Sequence, residues 1–450
     1  MFYRTIQAEL QKWAKNPSKK PLVIRGARQV GKTTVVNQFA AGFAQYIYLN
    51  LEQPEDSALF ERFTTLPNLL QAIFYLKSKS LDKKSATLLF IDEIQEVPQA
   101  LNLLRYFYEQ EPTLSVMAAG SMLETLFDKN VSFPVGRVEY KVLRPVSFPE
   151  FLAAMGETNS LEQLQKIPLA SFAHTKLLHL FHTYALIGGM PEVVNHYVQH
   201  RDLTALSSIY DSLITSYLDD AEKYAANNTQ LQVVRHAIRA SYAQAGKRIK
   251  FEGFGNSNYG SREMGEALRT LQKALLVYLI YPHTGYSLPI IPDLKKSPRL
   301  HVLDTGLLNY FVGIQKEMIG TTDLNDVYKG TMVEHLVGQE LLAMQFNALS
   351  TLNFWVREKK TSTAEIDYLF LFESKLIPIE VKAGTEGKLK SLHLFMDECP
   401  HNMAVRFYGG ELRITSSKTL TGKTYHLLNL PYYLVSQTER YLEWLQRQFK

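Results

Sequence analysis

Residues Gly26-Ala27-Arg28-Gln29-Val30-Gly31-Lys32-Thr33 spell G-x-x-x-x-G-K-[ST], and they stand between the apolar run PLVIR and the helical pattern TTVVNQFAAGF. A strand, a glycine-rich loop and a helix start in that order form the setting in which this motif holds phosphates. The glycines let backbone N–H groups curl around an anion, while Lys32 supplies charge and the helix N-terminus supplies the positive end of its dipole. Thr33 is placed to ligate magnesium. The loop from Gly26 to Thr33, together with Thr34, is therefore the expected binding site for ATP with Mg2+.

Further along, Leu88-Leu89-Phe90-Ile91-Asp92-Glu93 reads as a buried strand ending in two carboxylates. Taken alone, paired acids after a strand are a solvated turn. Beside a phosphate loop they acquire roles: Asp92 next to the magnesium, and Glu93 as the group that polarises an attacking water.

Short apolar runs alternate with helical patterns from residue 21 to 148 (PLVIRG, YIYLNLE, TLLFIDE, LSVMAAGS, VEYKVL), which predicts a parallel sheet covered by helices. From about 150 to 245 the period becomes helical, broken at Gly188-Gly189-Met190-Pro191, which reads as a helix-breaking turn. REMGEALRTLQKALLVYLI, residues 262–280, reads as one helix running into a ribbon with turns at Pro282, Gly285 and Pro289, an arrangement that suits a winged helix. The last third returns to mixed structure, with a helix TMVEHLVGQELLAMQF and two strands, EIDYLFLF and KLIPIEVKA, joined at Glu373-Ser374.

The composition fits soluble globular structure: of 450 residues, 46% are hydrophobic and 21% charged, with a net charge of +5. This charge permits a nucleic-acid partner without requiring one. A single cysteine, Cys399, rules out an intrachain disulfide and a cysteine-based zinc site. The N-terminus, MFYRTIQAELQKW, reads as an amphipathic helix, and no apolar run approaches the length of a membrane span, so a cytoplasmic location without integral insertion is expected.

The strand order resembles the AAA-type branch of P-loop ATPases, where a strand lies between those of the two nucleotide motifs and the strand after the second motif ends in a polar sensor. The resemblance makes Ser121, after LSVMAAG, the sensor candidate; a helix N-cap for the following MLETLF is the competing reading. A closer resemblance follows from Gly136-Arg137, Pro145 to Phe151, Gly188-Gly189-Met190-Pro191, Asp304-Thr305-Gly306-Leu307 and Ile379-Glu380-Val381-Lys382. Together these resemble bacterial and archaeal ATPases that join an AAA-type domain to a C-terminal domain of unknown function. That resemblance implies that Arg137 acts as an arginine finger or second sensor, in trans if the protein is a homo-oligomer. A surface arginine paired with an acid is the plainer alternative.

In the C-terminal part, Glu334, Asp367, Glu380 and Lys382 resemble the PD-(D/E)xK nuclease core. Glu380 and Lys382 share a strand face by their spacing, and a hairpin would bring Asp367 opposite them. Glu334, Asp367 and Glu380 are thus candidate metal ligands, with Asp367, Glu380 and Lys382 as candidate catalytic groups. Basic clusters surround this core: Lys247-Arg248 with Lys250, Lys295-Lys296 with Arg299, and Arg357 with Lys359-Lys360. They are candidates for phosphate contacts with DNA or RNA. His301 and His335 could be ligands, but isolated histidines read more simply as packed or surface residues.

The expected architecture is α/β: an AAA-type P-loop ATPase domain over 1–150, a helical and winged-helix-like region over 151–320, and a restriction-endonuclease-like α/β domain over 321–450. The expected function is a nucleic-acid-associated ATPase with a nuclease-like C-terminal domain. The alternative is an ATP-dependent protein-binding switch or scaffold whose C-terminal core is silent.

Overall fold

The computed structural model describes residues 2–63, 65–121, 136–225, 227–314, 331–359, 362–382 and 389–449. The segment after Ser121, Lys360 and the expected boundary near residue 320 lie outside them.

The N-terminal part runs α1 (Ile6–Lys15), β1 (Leu22–Arg25), α2 (Lys32–Ala40), β2 (Gln45–Asn50), α3 (Pro54–Arg62), α4 (Leu66–Leu76), β3 (Thr87–Asp92), α5 (Pro98–Gln110), β4 (Ser115–Gly120) and β5 (Glu139–Val142). The five strands form a parallel sheet in the order β2-β3-β4-β1-β5. Alternation along each strand feeds two cores: Leu22, Ile24, Leu88 and Phe90 enter one, Val23, Leu89 and Ile91 the other. A parallel sheet covered on both faces requires this, and it explains the unbroken apolar runs. YIYLNLE, which lies between the two motifs in sequence, is the edge strand β2, and the strand between them in space is β4.

The middle part continues with α6 (Phe148–Ala154), α7 (Thr158–Leu164), α8 (His174–Ile187), α9 (Pro191–His200), α10 (Leu206–Tyr224), α11 (Asn228–Gln244), α12 (Ser261–Lys273), β6 (Val277–Ile280), β7 (Pro282–His283), β8 (Arg299–Val302) and α13 (Thr305–Phe311). The single helix expected over 262–280 is instead α12 followed by β6. Leu275 takes a left-handed φ of 61° at the break, and Val277, Tyr278 and Ile280 have the β-branched and aromatic side chains that suit a strand. β6 pairs antiparallel with β8, and Arg248 bridges to Arg299 on the other side of β8.

The C-terminal part contains α14 (Thr331–Ala343), β9 (Phe354–Lys359), β10 (Ser362–Ile366), β11 (Tyr368–Phe372), β12 (Lys375–Val381), α15 (Lys390–Glu398), β13 (Met403–Tyr408), β14 (Arg413–Lys418), β15 (Thr424–Pro431) and α16 (Thr438–Gln448). A mixed sheet has the order β11-β12-β13-β15-β14. EIDYLFLF, expected as one strand, divides at Asp367 between β10 and β11, which belong to different sheets. The short strand β7 pairs with β9, so the ribbon of the middle part is joined edgewise to the C-terminal β9–β10 hairpin. Along the edge of the N-terminal sheet, the N–H of Val142 donates to the carbonyl of Phe346 at 2.8 Å, and Arg144 Nη1 donates to the Tyr278 hydroxyl at 2.8 Å.

Candidate functional site

β1 ends at Arg25 in register with Gly120 of β4, and β3 ends at Asp92, so the glycine loop and the acidic strand end open on one edge of the sheet. The loop geometry needs its glycines: Gly31 has φ +91°, and a Cβ on Gly26 would meet the Leu143 carbonyl oxygen at 2.6 Å. Lys32 is buried, and Nζ donates to the carbonyls of Gly26 and Ala27 at 3.1 and 3.0 Å. Burial lowers its pKa, with Glu93 and Asp92 opposing the shift. An anion bound in the loop would give this ammonium a partner of full opposite charge.

Thr33 Oγ1 donates to Asp92 Oδ2 at 2.6 Å, and the Tyr48 hydroxyl reaches the same oxygen at 3.3 Å. Burial raises the Asp92 pKa while the Thr33 bond lowers it. These hard oxygens fit magnesium, which binds through one or two carboxylates and the substrate's phosphates. Glu93 sits in a left-handed backbone with φ 50°, and its carboxylate is held by Gln95 Nε2 at 2.5 Å. Ser121 follows Gly120 at the end of β4, between the two motif strands.

The cleft, 630 Å³ in volume, is lined by Arg28, Lys32, Thr33, Thr34 and Glu93, and also by residues that sequence reasoning missed. Phe2 and Arg4 come from the N-terminal segment, where the helix begins only at Ile6; Pro191 and Asn195 come from α9. Arg4 donates to the Val30 carbonyl at 3.2 Å and pairs with buried Glu150 at 3.0 Å. Glu150 also closes the capping box of α6 with Ser147. The Pro145 to Phe151 segment therefore ties the N-terminus to the loop, through long-range contacts that no local pattern reveals.

Arg137 stands elsewhere. Glu139 pairs with Leu22 and Val142 with Arg25, so Arg137, just before β5, lies at the sheet edge opposite the loop. Its Nε pairs with Glu109 Oε1 at 3.0 Å. Within one chain it does not complete the cleft.

The C-terminal residues gather. Tyr368 registers with Ile379, which sets Asp367 beside Glu380 across the β11–β12 pair. Asp367 Oδ2 accepts from the Val381 N–H at 2.7 Å, and Lys382 Nζ is paired with Glu380 Oε1. Burial, followed by the charge of Asp367, raises the pKa of both Glu334 and Glu380. Glu380 Oε2 is buried without a hydrogen-bond partner. Among the described residues, however, no group of three or more His, Cys, Asp and Glu side chains is placed to hold a metal ion. Cations of the chain stand there instead: Lys382, and Arg299 of β8, whose Nη1 donates to the Asp367 carbonyl at 2.8 Å and whose Nη2 lies 4.0 Å from Asp367 Oδ1.

The basic clusters are likewise partly committed. Arg248 pairs with Glu358 at 2.5 Å, Lys296 with Glu358, and Arg299 with Glu365, whereas Lys247, Lys250 and Lys295 are exposed. His301 and His335 are buried and stacked with ring centroids 3.7 Å apart.

Comparison with known proteins agrees with the N-terminal geometry. A family model described as an AAA domain matches residues 18–152, and two models for domains of unknown function, DUF8612 and DUF4143, match residues 178–318 and 329–433. The parallel sheet, the phosphate loop and this match define the class of the N-terminal part, an AAA-type P-loop ATPase domain. No curated protein matches the chain. Among solved structures, the Walker-type ATPase of Pyrococcus abyssi is 15% identical over 69% of this chain and 96% of its own, with a TM-score of 0.45. A signal transduction ATPase with numerous domains and a tetratricopeptide repeat sensor from Pyrococcus horikoshii is 12% identical over 76% of this chain and 47% of its own, with a TM-score of 0.30. AMPPCP-bound DnaA from Aquifex aeolicus is 10% identical over 60% of this chain and 86% of its own, with a TM-score of 0.26. No helix among the described residues is long and apolar enough to cross a membrane.

Proposed function

We propose that the chain binds and hydrolyses ATP with magnesium, in a cytoplasmic setting, and that its N-terminal part (1–150) drives the middle (151–320) and C-terminal (321–450) parts. The observation that carries this reading is the 2.6 Å bond from Thr33 to Asp92 beside the buried Lys32. Thr33 and Asp92 would hold the magnesium, Lys32 and the loop N–H groups the phosphates, and Ser121 would stand near them. Magnesium supplies charge neutralisation at the phosphates. Glu93 would accept the proton of the attacking water, kept in place by Gln95. Arg137, exposed at the opposite sheet edge, would serve only a neighbouring subunit's nucleotide, in a homo-oligomer.

The proposed partner is DNA or RNA. The succession of α11, the Arg248 bridge, α12 and the β6–β8 pair has the order of a winged helix, and Lys247, Lys250 and Lys295 are exposed for phosphates. The mixed sheet with Asp367 beside Glu380 supports a restriction-endonuclease-like core. A protein-binding switch with a silent core is favoured by one observation: Arg299 and Lys382 already neutralise the carboxylates. ATP turnover, measured with and without magnesium and with single- and double-stranded DNA over a salt series, tests both readings. Stimulation that declines with salt supports the nucleic-acid partner. Turnover indifferent to DNA, with no magnesium- or manganese-dependent cleavage, leaves the protein switch, and absence of magnesium-dependent turnover refutes the ATPase reading.

A further inference from the structure

One side of the phosphate loop is covered by α10, which presents two residues to it and a third, at the same spacing, to the acids that follow β2 and β3. The Tyr217 hydroxyl donates to the Arg28 carbonyl at 3.2 Å. One turn on, Asp220 is paired with the Arg28 guanidinium, and its side chain is only 10% exposed. A further turn on, Lys223 lies 3.6 Å from both Glu52 and Glu96. Residues three apart on a helix share a face, so Tyr217 and Asp220 hold the loop side by side, and Lys223 ties the next turn to its flank.

Arg28 has a double allegiance. It lines the cleft with Lys32 and Glu93, yet its guanidinium is held by Asp220 and, at 3.5 Å, by Glu52. Burial disfavours its charge, but Asp220, Glu52 and Glu93 outweigh burial and raise its pKa. A planar guanidinium pairs with phosphate oxygens at least as well as with a carboxylate. A triphosphate carries more negative charge than Asp220, and it would come to a cleft wall that Arg28 already forms.

We propose that Arg28 exchanges Asp220 for the terminal phosphate of a bound nucleoside triphosphate, and that Asp220, left without its cation beside that charge, loosens α10 from the loop. Arg28 and Asp220 then form a positioning pair by which the middle part distinguishes triphosphate from diphosphate. This rests on the reading of the cleft as a nucleotide site. The ion pair lies on the loop itself, so loss of the pairing reaches α10 without an intervening element.

The test uses the full chain, with affinities for ATPγS and ADP by calorimetry and an inter-label distance between Glu61→Cys on α3 and Glu222→Cys on α10. Wild type should favour ATPγS and change its inter-label distance with ATPγS but not with ADP. Asp220→Asn, which removes the competing charge at nearly constant shape, should bind ATPγS roughly tenfold more tightly, the scale of one charge-assisted contact. It should also show the displaced distance before nucleotide is added. Arg28→Lys should narrow the ATPγS-to-ADP preference and reduce the distance change. A wild-type preference and distance change preserved in both variants overturns the exchange while leaving the nucleotide site standing. Failure of wild type to bind either nucleotide overturns the site and the exchange together.

Discussion

Asp304 and Gly188 occupy each other's space: a Cβ on Gly188 would stand 2.3 Å from the Asp304 carboxylate, and Gly188 has φ +73°. The same carboxylate accepts from the Gly189 N–H at 2.5 Å and caps α13 through the Leu307 N–H at 3.0 Å. The break between α8 and α9 is therefore a buried joint between two distant segments, and α9 leaves it towards the nucleotide cleft. Asp304→Ala should cost about 3 kcal/mol, because a helix cap is lost and buried N–H groups are left unpaired. Gly188→Ala should cost at least as much through overlap and backbone strain. Urea denaturation measures both, and near-neutral values for the pair would show that the joint yields.

Glu340 on α14 is fully buried, accepts from the Tyr184 hydroxyl at 2.6 Å, and is pushed up by burial from an ordinary 4.5 to about 7. A raised carboxyl pKa means that the folded state holds the proton more tightly. Its stabilising contribution is complete below about pH 4.5 and is lost as pH rises through about 7. Glu340→Gln, which keeps an acceptor for Tyr184, should therefore gain stability relative to wild type between these limits, by on the order of 3 kcal/mol. Denaturation of both proteins across that range decides it, and a difference that stays flat with pH would mean that Glu340 titrates normally.

At the nucleotide site, Lys32→Ala removes the ammonium now resting on the Gly26 and Ala27 carbonyls. ATP affinity should fall by roughly a hundredfold or more, as expected for loss of a buried charge pair. Glu93→Gln should keep affinity and lose turnover, since only water activation needs the carboxylate. Filter binding and single-turnover hydrolysis separate the two effects. Equal affinity in wild type and Lys32→Ala would end the assignment.

Much of this site was legible because its parts are local: a loop of eight residues between a strand and a helix, and a strand that ends in its own acids. What stayed hidden depends on pairings between distant residues. Nothing near Arg4 announces Glu150, nothing near Asp220 announces Arg28, and the Arg248 and Lys296 charges read as free for phosphate contacts until Glu358 is seen beside them. The split of EIDYLFLF at Asp367 escaped for a related reason. Its apolar and aromatic residues favour strand on both sides of Asp367, and only the competing partners, Trp355 for Ile366 and Ile379 for Tyr368, place them in different sheets.

Arg137, paired with Glu109, stands at the sheet edge away from the loop, and the role proposed for it is therefore in trans. Arg137→Ala should then slow turnover more than it weakens ATP binding, and only at concentrations where the chain self-associates. Mixing it with Lys32→Ala should restore part of the activity, because each chain supplies what the other lacks. Turnover per chain independent of protein concentration, and unchanged in Arg137→Ala, would return this arginine to a surface ion pair.

Arg299 reaches from β8 into the C-terminal carboxylates. Its side chain is 5% exposed, pairs with Glu365, donates to the Asp367 carbonyl at 2.8 Å, and lies over the Phe354 ring at 4.6 Å. Removing one member of a buried charged set costs more than the set is worth, because the partner charges remain behind unpaired. Arg299→Met keeps most of the stem that packs on Phe354 and deletes the charge, so a loss of about 3–5 kcal/mol would come from electrostatics rather than from a cavity. Asp367→Asn in the same chain should then recover part of that loss, since it removes a carboxylate that Arg299 had been neutralising. A double-mutant cycle by urea denaturation measures this coupling. Strictly additive losses would mean that Arg299 stabilises the C-terminal part through its packing, the Glu365 pair and the carbonyl bond, with no contribution from the Asp367 carboxylate.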